Sequence, residues 1–545
     1  MEKNQQRVRL SLCAAVTAIS AVMLGCSGGG GNDLEEDAGS RRDASGSNGD
    51  GALSDVKATD GRNDASDAIV ILPDASDTGS PVVNNPETCE EAVASKSYIG
   101  CDYWPTVTYN NEIDPVFDFA VVISNTGKQN AQIRITGAGA DISLDIPPGT
   151  LETIHLPWVA LLLSGTQSAH VPNGAYHLVS SRPVTVYQFN ALQYEKEKQY
   201  SFTNDASLLL PSSAMTGNYR VATWADAPSQ IYPSFFAITA TQDDTNVKIW
   251  ASANTAAGTG INAIGANTTG TTQMQAGDVL VIMADGNTTD ISGSVIQADK
   301  PVQAISGNPC TRVPDNFGAC DHVEESLFPA EALGNDYLVT VPGAPRDPST
   351  AAVGQHVRIV GNFDGTELTF DPPLSAPGIV GGKATVNAGQ VLDLGLVAED
   401  FRVSSEEHSF IVATFIPGAS LIDPGVEPPN QKGDPAQSFA TAVKQYRTEY
   451  LFLAPADYDT NVVNVTAPRG AQVTIDGAVL APDQFQPIGS TGMGVWRHPL
   501  QATGSHKLSS DQPVGIQVYG YGSYTSYQYP GGTNLNAIAP PPVVH

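Results

Sequence analysis

At 545 residues and 57.0 kDa the chain is too long for one ordinary hydrophobic core, so several domains are expected. Charged residues make up only 15% while Gly and Pro number 52 and 38, a balance that favours short strands and turns over helices. A formal net charge of -30 removes the basic surface that phosphate neutralisation needs, which excludes nucleic-acid binding.

The first 26 residues carry Lys3, Arg7 and Arg9 and then a mainly apolar run from Leu10 to Gly25. That length suits a signal peptide and is too short for a comfortable membrane span. The run closes in "MLGC", which resembles a bacterial lipobox with Cys26 as the lipidated first mature residue. Ser27 follows it, which favours an outer-membrane destination and a lipid anchor as the route to the membrane.

Residues 27-86 contain no aromatic side chain and carry 12 acidic against 4 basic ones. Such a stretch buries too little apolar surface to offset chain entropy, so it is expected to act as a disordered tether. As a flexible coil it reaches roughly 40 Å. Its "DASDA" and "DASDT" lack the glycine turn and closing Glu of a calcium loop, so no metal or other cofactor is read there.

With Cys13 in the leader and Cys26 lipidated, four cysteines remain in two close pairs, Cys89 with Cys101 and Cys310 with Cys320. An even remainder in an exported chain reads as two disulfides, each stapling a short loop.

The region 87-538 is expected to be all-β and repetitive. "SSRPVTVYQF", "ADKPVQAISG" and "SDQPVGIQVYG" each cross a polar turn and enter an alternating run at Pro-Val, with a degenerate copy in "VSSEEHSFIVATFIPG". Pro183, Pro301, Ser409 and Pro513 are 118, 108 and 104 residues apart. Upstream of each lies an alternating strand launched from a turn: "GADISLDIPPG", "DTNVKIWAS", "GTELTFDPP" and "GAQVTIDGAVL". A unit of about 105-118 residues with eight short strands suits a β-sandwich, giving approximate units 98-200, 201-310, 311-430 and 431-538. A propeller-like arrangement is the alternative. Helix is expected only in "VAEDF" and "DPAQSFATAVKQY".

The stretch with most chemistry is "CTRVPDNFGACDHVEESLFPAEALGNDYLV". In a strand, His322 and Glu324 share a face while Asp321 and Glu325 point away, so a His-x-Glu pair is a weak metal or acid-base signal. A stapled turn in which His322 bonds a carboxylate locally is the simpler reading. The pattern Cys320, Asp321, His322, Glu325, Leu327, Pro329, Gly334, Tyr337 and Val339, with the Pro-Val repeat, resembles the IgGFc-binding protein N-terminal domain family. The resemblance spans roughly Tyr98 to Leu535 and implies a non-enzymatic extracellular binding module.

The tyrosines of "YGYGSYTSYQYPGG", Tyr519, Tyr521, Tyr524, Tyr527 and Tyr529, have the composition of a contact surface. The expected function is therefore a lipid-anchored adhesive protein at the bacterial surface, recognising an extracellular protein, glycan or matrix ligand. A structural envelope protein is the first alternative, and a metal-dependent hydrolase centred on His322 and Glu324 the second.

Overall fold

A computed structural model of the chain describes residues 85–224, 232–315 and 320–544. The leader with Cys26 and the tether up to residue 84 lie outside the described residues.

Two kinds of strand recur. Ala131–Gly137, Thr245–Ala251 and Thr366–Asp371 alternate buried residues with exposed or half-exposed ones, as a sheet with one wet face requires. Phe119–Asn125, Phe235–Ala240 and Phe410–Ile416 are apolar runs buried along their whole length, as a sheet covered on both faces requires.

The two kinds belong to the outer and inner sheets of one repeating module. With the eight strands of a module counted in chain order, the outer sheet runs first, sixth, third, fourth and the inner sheet fifth, second, seventh, eighth. In the third module the outer sheet is Asp336–Val339, Phe401–Ser404, Thr366–Asp371 and Lys383–Val386. Its inner sheet is Val391–Val397, Gln355–Gly361, Phe410–Ile416 and Ala436–Phe439. The other three modules keep this order, and the second adds Ser168–Val171 and Gly258–Thr259 beyond its fifth strand.

The recurrent Pro-Val marks the crossing from sixth to seventh strand. His177–Phe189 and Gly504–Gly522 pass from outer to inner sheet as single strands through Pro183 and Pro513. In the second and third modules the strand breaks there, before Val302 and Phe410. A residue at such a corner has no ladder donor to supply, so proline fits. A first-strand tyrosine pins each corner. The buried hydroxyls of Tyr103, Tyr219, Tyr337 and Tyr450 donate to the carbonyls of Val184, Val302, Phe410 and Val514 at 2.7, 2.7, 2.7 and 2.5 Å.

The back of each inner sheet packs into the preceding module. Ala237 and Val281 enter the core of the first, Val360 and Ile411 that of the second, and Val462 and Tyr519 lie against the third. Ala120 and Val122 of the first module enter the core of the fourth, which closes a ring. The chain ends seal the same seam: the N–H of Tyr98 donates to Thr533 O at 3.2 Å, and that of Leu535 to Lys96 O at 2.7 Å. Each module is thus a two-sheet sandwich, and the four stand in a propeller-like ring.

The helix expected in "DPAQSFATAVKQY" is absent. Ala436–Phe439 is the eighth strand of the third module and only Val443–Gln445 turns, as a 3-10 helix. Packing on both faces overrides the local helical preference there. "VAEDF" is the turn between Val391–Val397 and Phe401–Ser404.

Tyr337→Phe leaves the buried Phe410 carbonyl and Gly334 N–H without their shared hydroxyl. It is expected to lower stability by ~1–3 kcal/mol in urea unfolding. An unchanged midpoint would show that the corner does not depend on this bond.

Candidate binding face at the ring axis

The eighth strands, Ala206–Leu208, Asp321–Ser326, Ala436–Phe439 and Thr525–Pro530, touch one another in turn around the ring axis. All are buried, although their sequences are largely polar. Their ladder register puts Ala206, Glu324, Gln437 and Gln528 at one level, paired with Phe189, Gly307, Phe415 and Tyr519.

From that level three side chains reach back to the seventh strand of the preceding module. Gln188 Nε2 donates to Glu324 Oε1 at 2.9 Å, Gln437 Nε2 to Ser306 Oγ at 3.2 Å, and Gln528 Nε2 to Thr414 Oγ1 at 3.5 Å. Ser207 Oγ and Thr108 Oγ1 also donate to Glu324. The Asp205 carboxylate accepts N–H bonds from Ala206, Glu324 and Gln437 at 2.9, 3.0 and 3.1 Å, tying three modules. These bonds cross module boundaries, so they help to specify how each module sits against its neighbour.

His322 Nε2 lies 3.4 Å from Glu324 Oε2, on the shared strand face. Both side chains are fully buried, whereas the hydrolase alternative needs them open to a substrate. Asp321 and Glu325 lie on the other face, also fully buried. Cys320 is bonded to Cys310, and Cys89 to Cys101. Pro329 caps the 3-10 turn Ala330–Ala332, and the Gly334 N–H donates to the Tyr337 hydroxyl at 2.9 Å. A side chain on Gly334 would strike Ala442 Cβ at 2.4 Å. These family positions build the passage from one module to the next.

The tyrosine reading needs correction. Tyr519, Tyr521, Tyr527 and Tyr529 are 0% exposed, because both faces of the fourth inner sheet are covered. Their hydroxyls bond Asn464 Oδ1, Gly343 O, Asn461 Oδ1 and Leu453 O within the core. Only Tyr524, at the tight turn, reaches the surface in part. There its ring meets Phe202 at 6.3 Å, and Phe202, Tyr194 and Tyr200 lie 5.4 to 6.3 Å from one another. Tyr200 and Phe202 remain 49% and 44% exposed. This aromatic rim lies where the connections into the eighth strands of the first, third and fourth modules meet: Phe202 packs on Tyr524, Lys432 bridges Ser523, and the Gly433 N–H bonds Gly522 O. Tyr194, Tyr200 and Phe202 come from "YEKEKQYSF", a stretch not among the sequence candidates; its aromatics among charges are the one signal that could have found them.

Among the described residues no three His, Cys, Asp or Glu side chains group as metal ligands. The family model described as "IgGFc binding protein" matches residues 205–520. No curated protein matches the chain. Among solved structures, an anti-sigma factor domain-containing protein from Clostridium clariflavum is 10% identical, covering 76% of this chain and 99% of that one at a TM-score of 0.11. A native alfa-L-rhamnosidase from Aspergillus terreus is 9% identical, covering 65% of this chain and 50% of that one, also at a TM-score of 0.11. Likeness at that level carries no argument.

Burial, helped by the charges of Asp205 and Glu324, pushes the Glu325 carboxyl well above the ordinary glutamate range, against the pull of the Ser326 and Leu208 N–H groups. Folding therefore favours its protonated form. The stability it contributes is complete below about pH 4.3 and is lost as pH rises through the native value. Glu325→Gln is expected to unfold at higher urea than wild type at pH 8, the gap closing towards pH 4. A lower midpoint for the variant at pH 8 would contradict this.

Proposed function

The chain belongs to the IgGFc-binding protein family, and from that premise we propose that it works by binding an extracellular macromolecule, without catalysis. The observation that carries the reading is the aromatic rim. Tyr200 and Phe202 stay about half exposed on a connection that the closed ring holds at one end of its axis. Exposed aromatics on a rigid support offer large contact area at low entropy cost. The burial of His322 and Glu324 supports this reading, since both side chains serve the packing and hydrogen bonding of the axis.

The ligand is proposed to be a protein or glycan outside the cell, and the Fc fragment of IgG is the first probe because the family is described by it. Cys26 is proposed as a lipid anchor in the bacterial outer membrane and residues 27-86 as the spacer that gives the ring its reach. Many copies in one membrane would raise avidity without new contacts.

Biolayer interferometry of the purified chain against IgG Fc, with a glycan array in parallel, tests this. At least one saturable ligand is expected, and Tyr200→Ala with Phe202→Ala is expected to weaken it at least ~10-fold without moving the unfolding midpoint. Unchanged affinity in that variant would remove the rim from the site. The absence of any ligand would favour a structural envelope role.

A further inference from the structure

Thr203 and Asp434 lie just ahead of the eighth strands of the first and third modules, and Asp321 and Thr525 open those of the second and fourth, so the four stand at the same end of the packed axial strands. Asp321 and Asp434 are 0% exposed, and both oxygens of each carboxylate lack a hydrogen-bond partner. The N–H groups of His322 and Asn204 favour the ionised form of Asp321, and that of Ala419 favours ionised Asp434, but none reaches hydrogen-bond geometry. The Asp434 charge acts on Asp321, and Asp205 adds to it. Asp205 itself is the contrast, since backbone N–H groups satisfy both of its oxygens.

Two hydroxyls beside the pair are also without partners. Thr525 Oγ1 is one; Ser526 Oγ, next in the chain, accepts the Asp434 N–H at 2.9 Å and so holds that aspartate alongside. Tyr458 Oη is the other; it lies by the Thr525 hydroxyl without reaching hydrogen-bond geometry, and its phenol feels the charges of Asp205 and Asp321. Buried carboxylates without donors are costly, and Asp321 and Asp434 lack the backbone donors that satisfy Asp205. A positive ion answers both. The free donors are oxygens only, carboxylate and hydroxyl, while His322 lies on the opposite strand face beside Glu324. That set suits a hard cation tolerant of irregular coordination.

We propose that Asp321 and Asp434, with Thr525 and Tyr458, hold one calcium ion at the ring axis and so join the second, third and fourth modules. Two carboxylates make a weak site, with Kd of about 10⁻⁴–10⁻³ M. The site is independent of the aromatic rim and stands whatever ligand the rim takes.

The full chain, stripped with EDTA, is titrated with Tb³⁺ while tyrosine is excited; Tyr458 and Tyr524 both lie within range of the aspartate charges. Saturable one-site emission displaced by Ca²⁺ is expected, with a thermal midpoint that rises as Ca²⁺ is added. Asp321→Asn with Asp434→Asn is expected to lose both responses. Should that variant fail to fold, Thr525→Val keeps both carboxylates and the shape of the site and is expected to bind Ca²⁺ several-fold more weakly. No saturable emission from wild type, or emission kept by the double variant, would overturn the proposal and leave the pair sharing a proton.

Discussion

A buried phenol donating to the carbonyl at the head of the seventh strand, four times over, is the bond on which the ring rests. It fixes where the chain leaves the outer sheet and enters the inner one. That choice decides which residues face water and which face the neighbouring module. Proline at three of the four corners narrows the backbone, and Ser409 at the fourth shows that the tyrosine can hold the corner without it. Once the corner is set, the seventh strand presents Gln188, Ser306 or Thr414 to the next module, and the eighth strand follows at the axis.

The axis is an unusual place for polar side chains. An all-apolar centre would pack four similar modules in any order, whereas Glu324, Gln437 and Gln528 each find a different partner. Mismatched neighbours would leave buried donors and acceptors unpaired, at about 1–3 kcal/mol apiece. The fourth position, Ala206, has no polar partner to find, and it falls at the seam sealed by the chain ends at Tyr98 and Leu535. Function then moves outward. The buried strands hold the centre, and the connections into the eighth strands of the first and fourth modules carry the rim of Tyr194, Tyr200, Phe202 and Tyr524.

What could be read beforehand was local. Alternation in "TNVKIWA" and the spacing of Pro183, Pro301, Ser409 and Pro513 report a strand's own environment, and both describe the modules. The axial strands were hidden, since "AQSF" within "DPAQSFATAVKQY" has the composition of a helix and is buried only because the ring closes over it. The same closure misled the tyrosine reading. Tyr519 and Tyr527 look like contact residues by composition and become core because their sheet is covered twice. The rim residues carried little signal, since an exposed aromatic obeys no period. Corner tyrosines were open to discovery: Tyr219, Tyr337 and Tyr450 each stand in a first strand ahead of a Pro-Val or its equivalent.

Native-state hydrogen exchange resolved by peptide probes the central claim, one ring locked through its axial strands. The amides of Ala206–Leu208, Asp321–Ser326, Ala436–Phe439 and Thr525–Pro530 should exchange together, only through global unfolding, and respond equally to denaturant. Exchange of any one of these strands at its own lower free energy would mean separable modules, and the account of a closed ring would be wrong.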